Sequence, residues 1–439
     1  MEDLNKNKQI PATNIYEAWD RLDVVPLPTN DCRYVDCSGA RETNVVKELV
    51  KRLRLHSMSN KYMHALFTGY RGDGKTTELF RFMESIADKY RPLYFNAEDE
   101  FDLEDFRFPD FLLGIARVVF DKMKEEELPL PEKLLQKVAN WFAKIIETVE
   151  CKSSAEIMAE AGTSTPKWFQ IVTGKLIATI KTGGEKRKEI RKELDQQLTQ
   201  LLDHVDKLLA TAVEICIKKD GRAPVIIFDN LDRLDPNLAF DLFHTNGRKL
   251  LELDCHFVYV IPISLLYQKK LREFEEPIIL HMIPVIDRNN KPKDVSISLL
   301  KELLYKRFEP EKIMDDPDAI MDKFILTSGG HLRDLVRLFK QACSDAMDLP
   351  DEKINQAITQ KRINKLCETY QKLVMDNDYD YLIKTYQSKD AASNDRKQYL
   401  IFQTVILVYE ENGESWSDVH PALVQGKKFN RFLQELNNK

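Results

Sequence analysis

Glycine and proline are scarce in this chain, with 15 and 18 copies among 439 residues. This scarcity argues against long disordered or low-complexity tracts, which are usually rich in both residues. No segment repeats at a fixed period, so a solenoid or a propeller is not expected. With 43% hydrophobic and 31% charged residues, the composition fits a helix-rich globular protein of about two to four domains.

Cysteine clusters and long apolar runs are also missing. The seven cysteines include no CxxC pair and accompany no histidine-rich segment, so neither a zinc site nor a disulfide framework is expected. This usage indicates a reducing cytoplasm. The first ten residues lack the apolar core of a secretion signal. The most apolar helical segment, WFQIVTGKLIATI, is too short to span a membrane, and no membrane partner is expected.

The chain has no strong excess of positive or negative charge that would indicate the type of partner it binds. The formal net charge is -6, with Lys and Arg scattered among Asp and Glu. The basic footprint of many nucleic-acid-binding domains is therefore not visible across the whole chain, although local patches remain possible. Nucleic acid is a possible partner that the overall charge does not support.

The segment LFTGYRGDGKTTELFRF (66–82) is where glycines gather. Gly69 and Gly74 bracket four residues and precede Lys75 and Thr76, which is the G-x-x-x-x-G-K-[ST] pattern of a phosphate-binding loop. In such a loop, backbone N–H groups and the positive end of the following helix surround a phosphate. The flanking segments predict a buried strand before the loop and an amphipathic helix after it. This context separates the motif from an accidental glycine-rich turn.

The residues of this loop are candidates for nucleotide binding. They are Gly69, Arg71, Gly72, Asp73, Gly74, Lys75, Thr76 and Thr77. Lys75 is expected to reach the β and γ phosphates, and the Thr76 hydroxyl is expected to complete the ligand shell of Mg²⁺. The predicted cofactors are therefore ATP or ADP together with Mg²⁺.

An acidic strand is the second element that a phosphate-binding loop of an ATPase requires, because a carboxylate must hold the magnesium side of the site. The segment APVIIFDNLDRLD (223–235) contains a continuous apolar run, typical of a strand buried on both faces. Asp229 stands at the C-terminal end of this run and is the predicted metal-side carboxylate, together with Thr76. The next position, where many ATPases carry a second acid, is Asn230.

Asp232 is a candidate to polarise the attacking water. The amide of Asn230 can orient water but cannot accept its proton, so hydrolysis is either slow or dependent on Asp232. The alternative is that Asp232 and Arg233 lie at a solvated helix start, where an Asp near the N-terminus is favourable.

Four further segments complete the predicted core. Residues 31–56 predict a short strand, a glycine turn and a helix, and RPLYFNAED (91–99) predicts the next strand. CHFVYVIPISLLY predicts a strand ending at Ser264, a candidate polar group beside the γ-phosphate, and EPIILHMIPVID supplies a last strand. Residues 101–220 show helical spacing throughout and predict an insertion projecting from the core. The surface of this insertion is expected either to pack against the rest of the protein or to serve as a docking site for a partner or a neighbouring protomer.

Two features dominate the C-terminal part. In TSGGHLRDLVRLFKQA (327–342), Arg333 and Arg337 fall four apart on one helix face after a glycine pair. Arg333 is a candidate to bind a phosphate and so to sense the nucleotide, because a guanidinium offers several donors in a rigid fork. The alternative is that Arg333 is solvated.

A β-hairpin that follows helices, as in a winged helix, is predicted by the segment FQTVILVYEENGESWSDVHPALVQ. The acidic wing would repel a phosphate backbone, so a protein contact or nucleotide sensing is favoured.

These segments together predict an α/β fold. It is a P-loop NTPase parallel sheet with helices on both faces, a helical insertion, a helical lid and a C-terminal winged-helix domain. The predicted units are an N-terminal arm at 1–30, a P-loop core at 31–295 with its insertion at about 101–220, a lid at 296–350 and a winged-helix domain at 351–439.

With GYRGDGKTTEL, VIIFDNLDRL, SGGHLRDL and the terminal hairpin in one chain, the sequence resembles AAA+ ATPases. It is most similar to the branch shared by STAND signalling ATPases and origin-recognition initiators. The resemblance implies ATP hydrolysis with Mg²⁺, and it implies that Arg333 is the lid arginine called sensor 2. It also implies a homo-oligomer or an effector protein as partner, and bacterial chains of this type are often found in antiviral defence. Asn230 and the lack of an evident arginine finger depart from the pattern.

Three hypotheses about function are compatible with these features. The first is an ATP-dependent switch that controls self-assembly or an effector. The second is a DNA-engaging initiator or loader, whose binding would weaken steeply with salt. The third is a scaffold that holds ADP and does not hydrolyse ATP, which the amide at Asn230 suggests.

Overall fold

A sheet of five parallel strands forms the centre of the computed structural model, which describes residues 11–150, 165–267, 271–391 and 395–437. The strands are β1 (His64–Gly69), β2 (Tyr90–Asn96), β3 (Ala223–Asp229), β4 (His256–Ile261) and β5 (Ile278–Leu280). Their order across the sheet is β2-β3-β4-β1-β5. Strands β1 and β4 are buried along their whole length, as expected of parallel strands covered on both faces.

Helices cover both faces of this sheet, which confirms the predicted fold class. The helices before β3 are α1 (Ile15–Arg21), α2 (Ser38–Arg41), α3 (Val45–Met58), α4 (Lys75–Ile86), α5 (Ala97–Glu100), α6 (Phe108–Glu125), α7 (Glu132–Glu150), α8 (Thr165–Thr182), α9 (Glu185–Gln196) and α10 (Leu198–Asp220). Alternate residues of β3 point to opposite faces. Val225 and Ile227 pack against α3 and α4, whereas Ile226 and Phe228 face the side of α6 and α10.

Part of the insertion, which the sequence led us to expect to project from the core, packs on the sheet instead. Helices α6 and α10 lie on the sheet, and one continuous hydrophobic core joins the strands to α7, α8 and α9. The reason is visible in α6, where Phe111, Leu112, Leu113 and Ile115 are all buried, so that the helix is apolar on most of its circumference. Residues 151–164, which belong to the predicted insertion, lie outside the described residues.

Two strand predictions near the core need correction. No strand forms within residues 31–37, because the Asp31 carboxylate accepts hydrogen bonds from the backbone and guanidinium of Arg33 and curls the chain into a turn. The last strand is limited to the three residues of β5, and the chain after Leu280 continues as a loop.

Short elements follow β3. They are a 3₁₀ turn (Leu231–Arg233), α11 (Pro236–Phe240), a π turn (Asp241–Thr245), α12 (Gly247–Leu250) and, after β4, a second 3₁₀ turn (Ile263–Tyr267). Between Asp229 and β4 the chain therefore forms several short turns and helices and no single long helix. Among the described residues, no helix combines the length and the apolar character that a membrane crossing needs.

The C-terminal part forms a second hydrophobic core, which also includes residues of α1. Its elements are α13 (Asp294–Tyr305), α14 (Pro310–Ile313), α15 (Pro317–Ser328), α16 (Leu332–Ala346), α17 (Gln356–Gln371), α18 (Tyr379–Ser388), α19 (Asp395–Phe402), β6 (Ile406–Glu411), β7 (Glu414–Val419), α20 (Pro421–Val424) and α21 (Lys427–Asn437). The predicted hairpin is present: β6 and β7 pair antiparallel around Asn412 and Gly413, both with positive φ. This is the backbone that a tight two-residue turn requires.

Candidate functional site

The phosphate loop joins the end of β1 to the start of α4. Gly72 and Gly74 have φ values of +98° and +93°, a region that favours glycine. A Cβ atom on Gly72 would lie 2.4 Å from Cβ of Arg333, so helix α16 touches the loop itself. The loop and the arginine, which the sequence predicted as separate motifs, are therefore in contact in the fold.

Lys75 is buried, and its ammonium group contacts three oxygen atoms of the protein itself. Its Nζ donates to the carbonyl oxygens of Gly69 at 2.9 Å and Tyr70 at 2.8 Å, and it lies 2.9 Å from Oδ2 of Asp232. Asp232 is also buried. Its carboxylate thus occupies the place where this lysine would meet a phosphate oxygen. The ion pair rules out the alternative in which Asp232 is a solvated residue at a helix start.

Thr76 and Asp229 are in direct contact, as the predicted metal pair requires. The Thr76 hydroxyl donates to Oδ2 of Asp229 at 2.6 Å, and the Tyr94 hydroxyl donates to the same oxygen at 2.8 Å. Burial raises the pKa of the Asp229 carboxyl, although hydrogen bonds from Thr76 and Tyr94 oppose that rise. Hydroxyl and carboxylate oxygens are the ligands that Mg²⁺ prefers, so these residues fit the ion.

Asn230 does not face the loop lysine in the way a second acid would. It adopts a left-handed backbone with φ of +64°, and its side-chain Nδ2 donates to Oδ1 of Asn96 at 2.8 Å. The amide is therefore held by the end of β2. Asp232 is instead the acid that pairs with Lys75, and it belongs to the 3₁₀ turn that follows Asn230.

Arginines surround the mouth of the pocket. Arg71, Arg233 and Arg333 line it together with Lys75 and Asp229. Burial lowers the pKa of Arg333, and the nearby charges of Arg337 and Arg233 lower it further. The Nε of Arg333 is buried without a hydrogen-bond partner. A cation with an unused donor beside the loop is suited to receive an anionic ligand.

Three predicted site residues, Gly69, Asp73 and Ser264, do not line this pocket. Ser264 lies on the second 3₁₀ turn, is fully buried and does not line the pocket, so its role beside a phosphate stays a prediction. Thr77 lines the pocket, and its Oγ1 accepts a hydrogen bond from the backbone N–H of Leu27 at 3.1 Å. Thr77 therefore also fastens the N-terminal arm to α4.

The N-terminal arm contributes a wall that sequence reasoning missed. Val24, Val25 and Pro26 line the pocket, and Val25 is 54% exposed although it is apolar. An adjoining cavity continues between this arm, α2 and the lid helices, where Leu303 and Val336 supply apolar surface. The available signal was the apolar and proline-rich run VVPLP ahead of a polar turn.

The loop also contacts the C-terminal hairpin, a connection that no sequence motif indicated. The Tyr70 hydroxyl donates to the carbonyl oxygen of Ile406 at 2.9 Å and accepts from the N–H of Val408 at 2.9 Å, so it binds the free edge of β6. Next to it, Arg71 donates to the carbonyl oxygen of Asp232 at 3.0 Å and stacks on Phe402, with 4.3 Å between guanidinium and ring centre.

A buried polar cluster supports this contact. His331 Nε2 lies 2.7 Å from the carbonyl oxygen of Arg71, and its Nδ1 lies 3.2 Å from Oδ2 of Asp334. The same oxygen accepts from the Tyr370 hydroxyl at 2.6 Å and lies 3.4 Å from Nε2 of His420. Although burial opposes ionisation, His331 and His420 hold the pKa of Asp334 well below its usual range.

This cluster has the donor types of a metal site, since the three ligand atoms of His331, Asp334 and His420 lie within 4.8 Å of one another. However, Nδ1 of His420 accepts a hydrogen bond from the N–H of Ala422, which leaves the ring proton on Nε2. The arrangement therefore favours a hydrogen-bonded cluster that joins α16, α17 and the end of β7.

No protein-family model and no curated protein matches this chain. Among solved structures, the model is similar to Cdc6p from Pyrobaculum aerophilum (12% identity, TM-score 0.36, covering 92% of this chain and 99% of that one). It is also similar to Orc1 of Aeropyrum pernix in complex with DNA (12%, 0.37, 96% and 98%) and to a RuvB mutant from Thermotoga maritima (12%, 0.33, 89% and 94%). At these TM-scores the likeness supports no conclusion about function. Any proposal about function therefore has to rest on the geometry of the site.

Proposed function

We propose that the protein is a magnesium-dependent ATP-binding switch with slow ATPase activity, of the AAA+ and STAND-like kind. The observation that carries this proposal is the convergence of Lys75, Thr76 and Asp229 in one pocket at the C-terminal edge of the parallel sheet. Ligands of open α/β sheets bind at that edge. The pocket offers loop amides, an ammonium group and two oxygen ligands, which are the groups that phosphates and Mg²⁺ need.

The residues around Lys75 would change partners when a triphosphate binds. Lys75 would leave Asp232 for the β and γ phosphates, and the Asp232 carboxylate would then be free to accept a proton from water. Mg²⁺ held by Thr76 and Asp229 would offset the phosphate charge. Arg333 would donate to the phosphate from the lid. Slow ATP hydrolysis is expected because the Asp232 carboxylate would have to serve both as the ion-pair partner of Lys75 in the empty loop and as the base that activates water.

The same loop would pass its state to the C-terminal part. Tyr70 and Arg71 belong to the loop and contact β6 and Phe402 directly. A phosphate that repositions the loop would therefore alter the lid at 296–350 and the proposed winged-helix domain at 351–439. In this proposal the chain works in the cytoplasm, and the change controls its self-assembly or an effector protein.

The direct test is nucleotide binding and phosphate release by Lys75→Ala. We expect the wild type to gain about 2.7 kcal/mol of stability at a nucleotide concentration near 100 times Kd, and Lys75→Ala to gain none. Phosphate release should disappear in the same variant. The matched control is Lys89→Ala, which removes an exposed lysine after the end of α4 and should behave as the wild type.

Two other results are informative. A Lys75→Ala variant that binds nucleotide as tightly as the wild type would contradict the proposal. A wild type that binds ADP but releases no phosphate from ATP would support the scaffold hypothesis instead. Mass measurements with ADP and with a non-hydrolysable ATP analogue then show whether the nucleotide state controls assembly.

A further inference from the structure

The insertion carries a local excess of positive charge against the sign of the whole chain. Residues 165–192 contain eight Lys or Arg and two acidic residues, although the formal net charge of the chain is -6. This segment forms α8 and the first two turns of α9. Neither helix contributes a residue to the nucleotide pocket, so the charge needs an explanation of its own.

Part of this charge borders an open groove between α9 and the chain just before α6. Nine residues line the groove, and every one is charged, an amide or a glycine. Five of the nine are arginine or lysine, and two are aspartate. A surface of this composition offers no apolar anchor to a ligand.

Two of the arginines are already neutralised by neighbouring carboxylates. Arg191 is buried and lies 2.5 Å from Asp110 and 2.8 Å from Asp105. Arg187 lies 2.9 Å from Asp105 and 3.5 Å from Asp102. These ion pairs fix α9 against the start of α6. The charge of Arg107 also acts on Asp105 and Asp195, although neither carboxylate forms an ion pair with it.

The three remaining cations are Arg107, Lys188 and Lys192, and all three are exposed. Within the described parts of the chain, none of them forms an ion pair, and neither does Asp195, the other carboxylate of the groove. Lys188 and Lys192 are four residues apart, so they lie one turn apart on the same face of α9. Arg107 belongs to the other wall of the groove.

We propose that this groove binds the phosphate backbone of a nucleic acid without reading its sequence. Protein partners usually need aromatic or apolar residues at the centre of an interface, and the groove has none. Nucleic-acid interfaces are more polar and more positively charged, and their sequence-independent part consists of lysine and arginine contacts with phosphates. The three free cations match that requirement.

The proposal fixes the expected dependence on salt. Each phosphate neutralised on duplex DNA contributes about -0.9 to the slope of log K against log salt concentration, so three contacts give about -2.7. Affinity should then fall roughly 40-fold between about 50 and 200 mM salt. The complex is expected to be weak and to lack preference among sequences.

The test is fluorescence anisotropy of labelled duplex DNA of mixed sequence with the full chain. The double variant Lys188→Gln/Lys192→Gln should reduce the magnitude of the slope to about 0.9 and weaken binding at low salt. The matched control is Lys133→Gln/Lys137→Gln, because these exposed lysines are also four apart on an insertion helix, α7, but lie outside the groove. It should bind as the wild type does.

Three outcomes would overturn the inference: no binding at low salt, equal losses in the two double variants, or preferential binding of an acidic peptide such as polyglutamate. Lys75→Ala separates this inference from the nucleotide proposal, because it should abolish ATP binding and leave DNA binding unchanged. Folding of the variants is checked by their thermal unfolding, which surface Lys→Gln changes should leave nearly unaltered.

Discussion

Asp232 is the residue whose surroundings would change most between an empty and a filled loop. It is buried, and it forms an ion pair with Lys75 at 2.9 Å, while its Oδ1 has no hydrogen-bond partner. A phosphate has to replace this carboxylate at Lys75 before it can bind. The same side chain is the candidate base. Its pairing with Lys75 is therefore expected to lower the affinity for nucleotide, whereas its carboxylate is expected to promote ATP hydrolysis.

Replacement of Asp232 by Asn should therefore separate binding from hydrolysis. Without the negative charge, Lys75 is held less tightly, and we expect a non-hydrolysable ATP analogue to bind about tenfold more tightly, or about 1.4 kcal/mol. Phosphate release should fall about 100-fold because the base is lost. Titration with the analogue and a single-turnover assay measure the two effects. Asp88→Asn, at an exposed carboxylate, is the control, and weaker binding by Asp232→Asn would contradict this account.

The sequence was sufficient to predict that Lys75, Thr76 and Asp229 lie together, because a phosphate loop has fixed local spacing and parallel strands end at one edge of the sheet. It was not sufficient to predict the ion pair between Lys75 and Asp232. That pair depends on the left-handed backbone of Asn230 and on the 3₁₀ turn after it, and neither has a periodic signal. Motif spacing and periodicity do not predict contacts between residues that are far apart in the sequence, such as Lys75 and Asp232.

At the level of elements, the glycine pair before α16 allows a close approach of this helix to the core. Gly330 has φ of +85°, and a Cβ atom there would lie 1.8 Å from the carbonyl oxygen of Ile283. The backbone before α16 therefore touches the chain that follows β5. This close approach explains why α16 begins where Arg333 can reach the loop.

Gly330→Ala should displace α16 and weaken nucleotide binding. We expect the free energy of unfolding to fall by about 3 kcal/mol or more, since the new methyl group cannot be accommodated without backbone movement. Nucleotide affinity should fall as Arg333 moves away. Gly413→Ala is the matched control: its φ is +77° but a Cβ atom there meets nothing within 4 Å, so only backbone strain of about 1–2 kcal/mol is expected. Chemical denaturation compares the two, and equal losses would refute the close-packing argument.

Helices and strands differed in how well they could be predicted. The helical periodicity was read correctly for most of the described part of residues 101–220. The packing of α6 and α10 on the sheet was not predicted, because amphipathic spacing shows that a face is buried and not which surface covers it. The strand expected near Arg33 failed because a local carboxylate turn overrode the apolar pattern. The hairpin around Asn412 was correct because its turn residues specify their own geometry.

On the scale of the whole molecule, the phosphate loop is also an interface between the core and the C-terminal part. Tyr70 is fully buried and completes the hydrogen bonding of two backbone groups at the edge of β6. His331 connects the carbonyl oxygen of Arg71 to Asp334, which in turn contacts Tyr370 and His420. Loop movement is therefore expected to reach residues near the C-terminus without an intermediate element.

Tyr70→Phe tests this connection, because it removes one hydroxyl and leaves the ring in place. The carbonyl oxygen of Ile406 and the N–H of Val408 would lose their partner in a buried site, which costs about 1–3 kcal/mol for each unsatisfied group. We expect faster hydrogen exchange at residues 405–420 in the variant, and the same change in the wild type when a non-hydrolysable ATP analogue binds. Tyr94→Phe serves as control, since it removes a hydroxyl that donates to Asp229 and not to β6. Unchanged exchange at 405–420 in Tyr70→Phe would show that the loop and the hairpin are not coupled.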